Sequence, residues 1–225
     1  MDISSRHLSP LLLILALALP GCESQTDGPA PHPTATPVRG GTLHVAQISP
    51  MSLDPGFVDD SYEAALVNQI HDGLLRHDSN LNLLPSLATA WQISRDGLEY
   101  TFQLKKGARF HDGTPVTARD FVYSFSRVFQ LDPAQATLAR EYLGVIEGAE
   151  EFARGDADSI SGLATNGDYV LTIRLEKPYA SFLHAVASEF SRVVPRAYVE
   201  EHGDAILSER PVGAGAFRMT SWDGA

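Results

Sequence analysis

From Leu98 to Leu104 the chain alternates apolar and polar residues, with Leu98, Tyr100, Phe102 and Leu104 at every second place. A period of two puts these four on one face of a strand. Asp96-Gly97 stands just ahead, a pair suited to a two-residue turn, so "WQISRDGLEYTFQL" reads as a hairpin. The same grammar recurs at Asn166-Gly167-Asp168, which precedes Tyr169, Leu171, Ile173 and Leu175 at strand spacing. Looser alternation predicts strands over Thr42–Ile48 and Phe217–Trp222.

Elsewhere the period lengthens to that of a helix. Phe121, Val122, Phe125, Val128 and Phe129 fall at i, i+1, i+4, i+7 and i+8, which is one helix face. Thr117, three residues before Asp120, predicts an N-cap, with the carboxylate reaching back or meeting the helix dipole. Leu66, Val67 and Ile70 predict a helix over Tyr62–His71, closed by Gly73 as its C′ residue. Further helical patches are expected at Tyr142–Phe152, Ser181–Ser188 and Arg196–His202. Antiparallel hairpins with interspersed helices make an α+β protein.

The first forty residues follow neither period. Leu11–Leu19 is wholly apolar and follows Arg6. It is shorter than the about 20 residues that span a bilayer, and has the length of a signal-peptide apolar region. "LPGC" (Leu19 to Cys22) resembles the bacterial lipobox. That resemblance implies a lipoprotein signal over 1–21 and lipidation of Cys22, which would make the bilayer a partner. Cys22 is the sole cysteine, so no disulfide forms within the chain. Glu23 follows it rather than aspartate, which in a host with two membranes favours the outer one. Residues 22–39, rich in proline and threonine, read as a tether, and folding should begin near Gly40. The chain has 225 residues, 44% apolar and 20% charged, enough for one substantial core or two modest ones. A net charge of -11 leaves no basic stripe for phosphates and excludes nucleic acid as a partner.

Candidate chemistry concentrates in "RFHDGTPVTARDFVYSFSR", Arg109 to Arg127. A hydrolase or zinc reading would use His111 and Asp112 with His71, since each histidine is followed by Asp and Gly. No histidine recurs at helical ligand spacing and no cysteine completes such a site, so no metal or other cofactor is expected. Asp112-Gly113 and Pro115 describe a turn, and the aromatics that follow are core. No G-x-S-x-G elbow or P-loop is present, and Gly213-Ala-Gly215 lacks its third glycine. Asp59 and Asp60 are adjacent, and an extended chain would aim them to opposite sides.

Read in order, "GGTLHVAQ", "SLDPG", "IHDGLLRHD", "LLPSLATAW", the block Asp96 to Arg127, "GDYVLTIRLEKPYASFLH" and "PVGAGAFRM" resemble family 5 extracellular solute-binding proteins. These are the oligopeptide and dipeptide receptors of ABC importers. The resemblance implies a multi-lobed, periplasmic-binding-protein-like fold of type II, present here as its N-terminal part. Residues 40–72 would begin the large lobe, 73–194 form the inserted small lobe, and 195–225 return to the large one. It implies non-covalent capture of a peptide in an inter-lobe cleft and delivery to an ABC permease, without catalysis, at the cell envelope. Nickel or oligosaccharide is the alternative solute within the family; a non-functional gene fragment is another reading. By the same resemblance Asp59, Asp60 and Ser61 lie along the ligand, though an acidic surface loop fits them as well. Tyr142 would be the ligand-contacting tyrosine of the small lobe, or a core aromatic of its helix.

Overall fold

The structure, a computed structural model, describes residues 40–222. Residues 40–44 carry no helix or strand and belong to a separate unit from the one that begins at Val45. The elements below are those of the second unit.

Both hairpins form where the turn residues placed them, because Gly97 (φ 71°) and Gly167 (φ 67°) adopt left-handed backbone that costs glycine little. β1 (Leu75–His77) and β2 (Leu83–Pro85) make a two-stranded ribbon. β3 (Ala88–Ile93), β4 (Glu99–Leu104), β5 (Leu163–Thr165) and β6 (Val170–Arg174) form an antiparallel sheet in the order β3-β4-β6-β5. Register pairs Tyr100 with Ile173 and Phe102 with Leu171, so all four bury on one face.

That face is covered by α2 (Ala118–Val128), whose Phe121, Phe125 and Val128 are almost wholly buried, as is Phe129 beyond it. Its start is fixed locally: the backbone N–H and hydroxyl of Thr117 both donate to Asp120 Oδ2, at 2.9 and 2.8 Å.

α1 (Ser61–Ile70) agrees with the sequence pattern, but its C-terminus does not end on Gly73. His71 turns extended (φ -111°, ψ 154°), and the carbonyls of Gln69 and Ile70 accept from Phe217 N (2.9 Å) and Gly215 N (2.8 Å). The orphan carbonyls of a helix end are satisfied here by a distant segment. This also explains why 217–222 is no strand: its first N–H is spent on α1. The strand expected over 42–48 is absent too. Leu43, Val45 and Ile48 are exposed, and an extended segment without a ladder partner gains nothing from strand geometry.

α3 (Thr137–Leu143) and α4 (Ala149–Ala153) replace the single helix expected over 142–152. Between them Ile146 is fully buried and bridges to Leu175, and Glu147 N donates to Arg174 O (2.9 Å). Gly148 (φ 79°) then restarts the helix. Tertiary pairing with β6 breaks what local spacing would have continued. α5 (Phe182–Ala185) is shorter than the expected patch, α6 (Arg196–His202) matches it, and α7 (Ile206–Glu209) was not foreseen. Among the described residues no helix is long and apolar enough to cross a membrane.

Candidate ligand-binding site

The N-terminus of α1 holds the acidic segment. Asp60 is extended (φ -131°, ψ 167°) and its Oδ1 accepts from Tyr62 N (2.7 Å) and Glu63 N (2.8 Å), an N-cap. Ser61 is already helical, so the extended stretch stops at Asp60 instead of running through Ser61. Asp59, Asp60 and Ser61 are all exposed, and their backbone N–H groups show no hydrogen bond among the described residues. Such groups can pair with an extended ligand through its main chain, whatever its side chains.

The two aspartates do not diverge. One carboxylate oxygen each from Asp59, Asp60 and Glu63 lies within 4.8 Å of the others. The cause is the cap: to reach its own helix, Asp60 folds back over the first turn, where Glu63 sits. Glu63 is 3% exposed, and its Oε1 accepts from Met51 N (3.0 Å) and Ser52 N (3.1 Å). Sequence reading missed Glu63, although Asp60-x-x-Glu63 has the spacing of a capping box. Asp59 and Glu63 share the wall of a cavity of about 300 Å³ with Ser52, Phe57, Gln135 and Ser208.

Tyr142, on α3, is not part of that wall. Its ring stacks on Phe190 (centroids 5.4 Å apart, planes 17° apart) and is 37% exposed. Phe190 neighbours Glu189, whose Oε1 accepts from Asn68 Nδ2 (2.9 Å), and Asn68 Oδ1 in turn accepts from Arg192 Nε and Nη2. Burial above all pulls the pKa of Arg192 down, and Asp72 and Glu189 offset this in part. Gly73 leaves the room this arginine needs, because a Cβ there would fall 2.8 Å from its Nη1.

Of the two histidines of the hydrolase reading, His111 is held by backbone and His71 is buried without a partner. His111 Nε2 donates to Gly215 O (3.0 Å), which fixes the proton on that nitrogen and leaves Nδ1 to accept from Gly213 N (3.4 Å). His111 N also donates to Gly213 O (2.9 Å). Asp112 closes its own turn, accepting from Thr114 N (2.8 Å) and Thr114 Oγ1 (2.7 Å). His71 is 1% exposed with neither ring nitrogen hydrogen-bonded; the carbonyls of Leu53 and Val193 lie near it without bonding geometry. Burial pushes its pKa down to about 3, so it is neutral at physiological pH. Gly213 and Gly215 are there for contact: a Cβ would meet Ile70 O at 2.0 Å or Gln69 O at 2.5 Å. They let two backbones touch and do not cradle a phosphate.

One buried network crosses the three stretches that the resemblance assigns to different lobe segments. Arg127, from α2, donates to both oxygens of Asp54 and to Asp204. Burial opposes its charge most strongly, yet hydrogen bonds to Asp54 and Asp204 outweigh this and hold its pKa above the ordinary guanidinium value. Ser124 Oγ accepts from Val194 N (3.0 Å) one turn earlier in α2. Cys22 lies outside the described residues.

Comparison with known proteins follows this geometry. The model of the bacterial extracellular solute-binding proteins, family 5 Middle, matches residues 82–225. The chain is 32% identical to the periplasmic oligopeptide-binding protein OppA of Escherichia coli (strain K12), over 76% of this chain and 32% of that protein. It is 33% identical to the probable deoxycholate-binding periplasmic protein YgiS of the same strain, over 77% of this chain and 33% of that one. Among solved structures, Haemophilus influenzae OppA in complex with RPPGFSPFR superimposes with a TM-score of 0.70 at 30% identity, covering 77% of this chain and 34% of that chain. The chain thus spans about a third of the length of the relatives it matches. The fold is that of the periplasmic oligopeptide-binding proteins, a type II periplasmic-binding-protein-like architecture of which this chain carries part. The protein belongs to the bacterial extracellular solute-binding proteins of family 5.

Proposed function

We propose that the chain is part of a lipid-anchored substrate-binding component of an ABC importer that captures peptides in an inter-lobe cleft. The observation that carries this reading is the likeness to a receptor solved with a nine-residue peptide, RPPGFSPFR. The N-terminus of α1 supports it: Asp59 and Asp60 offer free backbone donors and negative charge to an extended ligand carrying an amino group. In this reading residues 40–72 and 195–225 belong to the large lobe, 73–194 form the small lobe, and Tyr142 adds an aromatic contact from the small lobe. The signal over 1–21 exports the chain, Cys22 anchors it to a membrane on the periplasmic or extracellular face, and an ABC permease receives the solute.

A second reading, a non-peptide solute, is favoured by the equal likeness to the probable deoxycholate-binding periplasmic protein YgiS. Isothermal titration of the purified chain with tri- to pentapeptide mixtures, deoxycholate, oligosaccharides and Ni²⁺ separates the two. Saturable heat with peptides, reduced by substitution of Asp59 and Asp60 together, supports the peptide reading. Saturation by any other solute alone overturns it.

A further inference from the structure

The geometry points to a divalent-cation site at the N-terminus of α1, formed by Asp59, Asp60 and Glu63. Three carboxylates contribute oxygens within 4.8 Å of one another, a concentration of like charge that needs a counter-charge. Glu63 makes the need specific. Its side chain is 3% exposed; Oε1 is taken by two backbone N–H groups, while Oε2 is buried with no hydrogen-bond partner. A buried carboxylate oxygen left unpaired is costly, and none of the six ion pairs among the described residues involves Glu63. The same side chain lines the cavity of about 300 Å³ that Asp59 also walls.

The donor set selects the ion. All three groups are hard carboxylate oxygens, without nitrogen or sulfur, which suits Ca²⁺ better than Zn²⁺. Three oxygens that all lie within 4.8 Å of one another fit inside a calcium shell, with bonds of about 2.3–2.6 Å. Mg²⁺ demands a near-ideal octahedron and keeps several of its waters, so a cluster of protein carboxylates suits it less. Asp60 keeps Oδ1 for its cap and has Oδ2 to offer. Ser52, Gln135 and Ser208 on the cavity wall, with water, supply further oxygens. The positive end of the α1 dipole opposes a cation there, but it carries about half a charge against three full ones.

This inference does not rest on the peptide reading, and its test contains no peptide. Chelator-treated protein is titrated with CaCl₂ by calorimetry and, separately, with Tb³⁺, whose luminescence Tyr62, two residues from Asp60, can sensitise. One saturable site is expected, with Kd in the range of about 10⁻⁴–10⁻³ M that weak extracellular calcium modules show. Glu63→Gln, which preserves the acceptor of the two backbone bonds, should weaken binding roughly tenfold or more, as should Asp59→Asn. Asp59 is exposed, so its variant folds even if the Glu63 variant does not. No saturation by several millimolar Ca²⁺, or Asp59→Asn binding with wild-type affinity, overturns the site.

Discussion

Asp54 and Arg127, 73 residues apart, meet in a bidentate ion pair with Nη1–Oδ1 at 3.0 Å and Nη2–Oδ2 at 2.5 Å, the aspartate fully buried and the arginine 4% exposed. Asp54 is the acid of "SLDP" and Arg127 ends "DFVYSFSR", so two separate motifs of the family resemblance are partners in space. Asp54 Oδ1 also accepts from Gly56 N (2.9 Å), and Asp204 takes Arg127 Nε. Every polar atom of the guanidinium is therefore bonded, which is the condition under which a buried pair is tolerated.

Removing one partner leaves the other charge buried and alone. Arg127→Met should cost about 3–5 kcal/mol of unfolding free energy, read from urea midpoints. Adding Asp54→Asn should recover part of the loss, because the stranded carboxylate is gone. A loss below about 1 kcal/mol for Arg127→Met would mean the pair is not closed in solution.

His71 should make stability fall with acid. Its folded pKa of about 3 lies below the ordinary value of 6.5, so only the unfolded chain takes up this proton between the two. The contribution is complete above pH 6.5 and declines by about 1.4 kcal/mol per pH unit as pH falls toward 3. His71→Leu removes that component. Urea midpoints at pH 7, 6 and 5 should fall on a shallower slope in the variant; parallel slopes would show that the pKa of His71 in the fold is close to its ordinary 6.5.

Gly213 and Gly215 should tolerate no side chain. Gly213→Ala puts a Cβ 2.0 Å from Ile70 O, and relief requires separating the 213–217 segment from α1. A loss of about 1–3 kcal/mol or more is expected. Hydrogen exchange should quicken at Gly215 N and Phe217 N, the two donors to α1, while β4 and β6 stay protected. Unchanged exchange at those two amides would place the segment elsewhere.

Cys22→Ala should release the protein from membranes. Each buried CH₂ of an acyl chain contributes roughly 0.8 kcal/mol, and more than one chain is needed for a stable anchor. Detergent partitioning of wild type and variant checks it, and equal partitioning would refute lipidation.

Whatever depends on neighbours along the chain was legible in the amino acids alone. Asp96-Gly97 and Gly167 set two hairpins because left-handed backbone is local, and alternation at Tyr100–Leu104 and Leu171–Leu175 chose the buried face because the pleat has period two. Thr117 and Asp120 capped α2 across three residues, and the family itself was legible in such short motifs. Tertiary structure decided whatever depends on a distant partner. Residues 42–48 and 217–222 have strand sequences but no ladder partner among the described residues, and they are not strands. Ile146 broke a helix by pairing with Leu175, and α1 ends on the glycines near residue 214 instead of on Gly73. Glu63 was not singled out along the chain, and only the fold of 51–52 over it made it a buried acid. Local conformational preferences are weak beside the free energy of burying an apolar side chain or leaving a backbone group unpaired, so wherever the two conflict, packing decides.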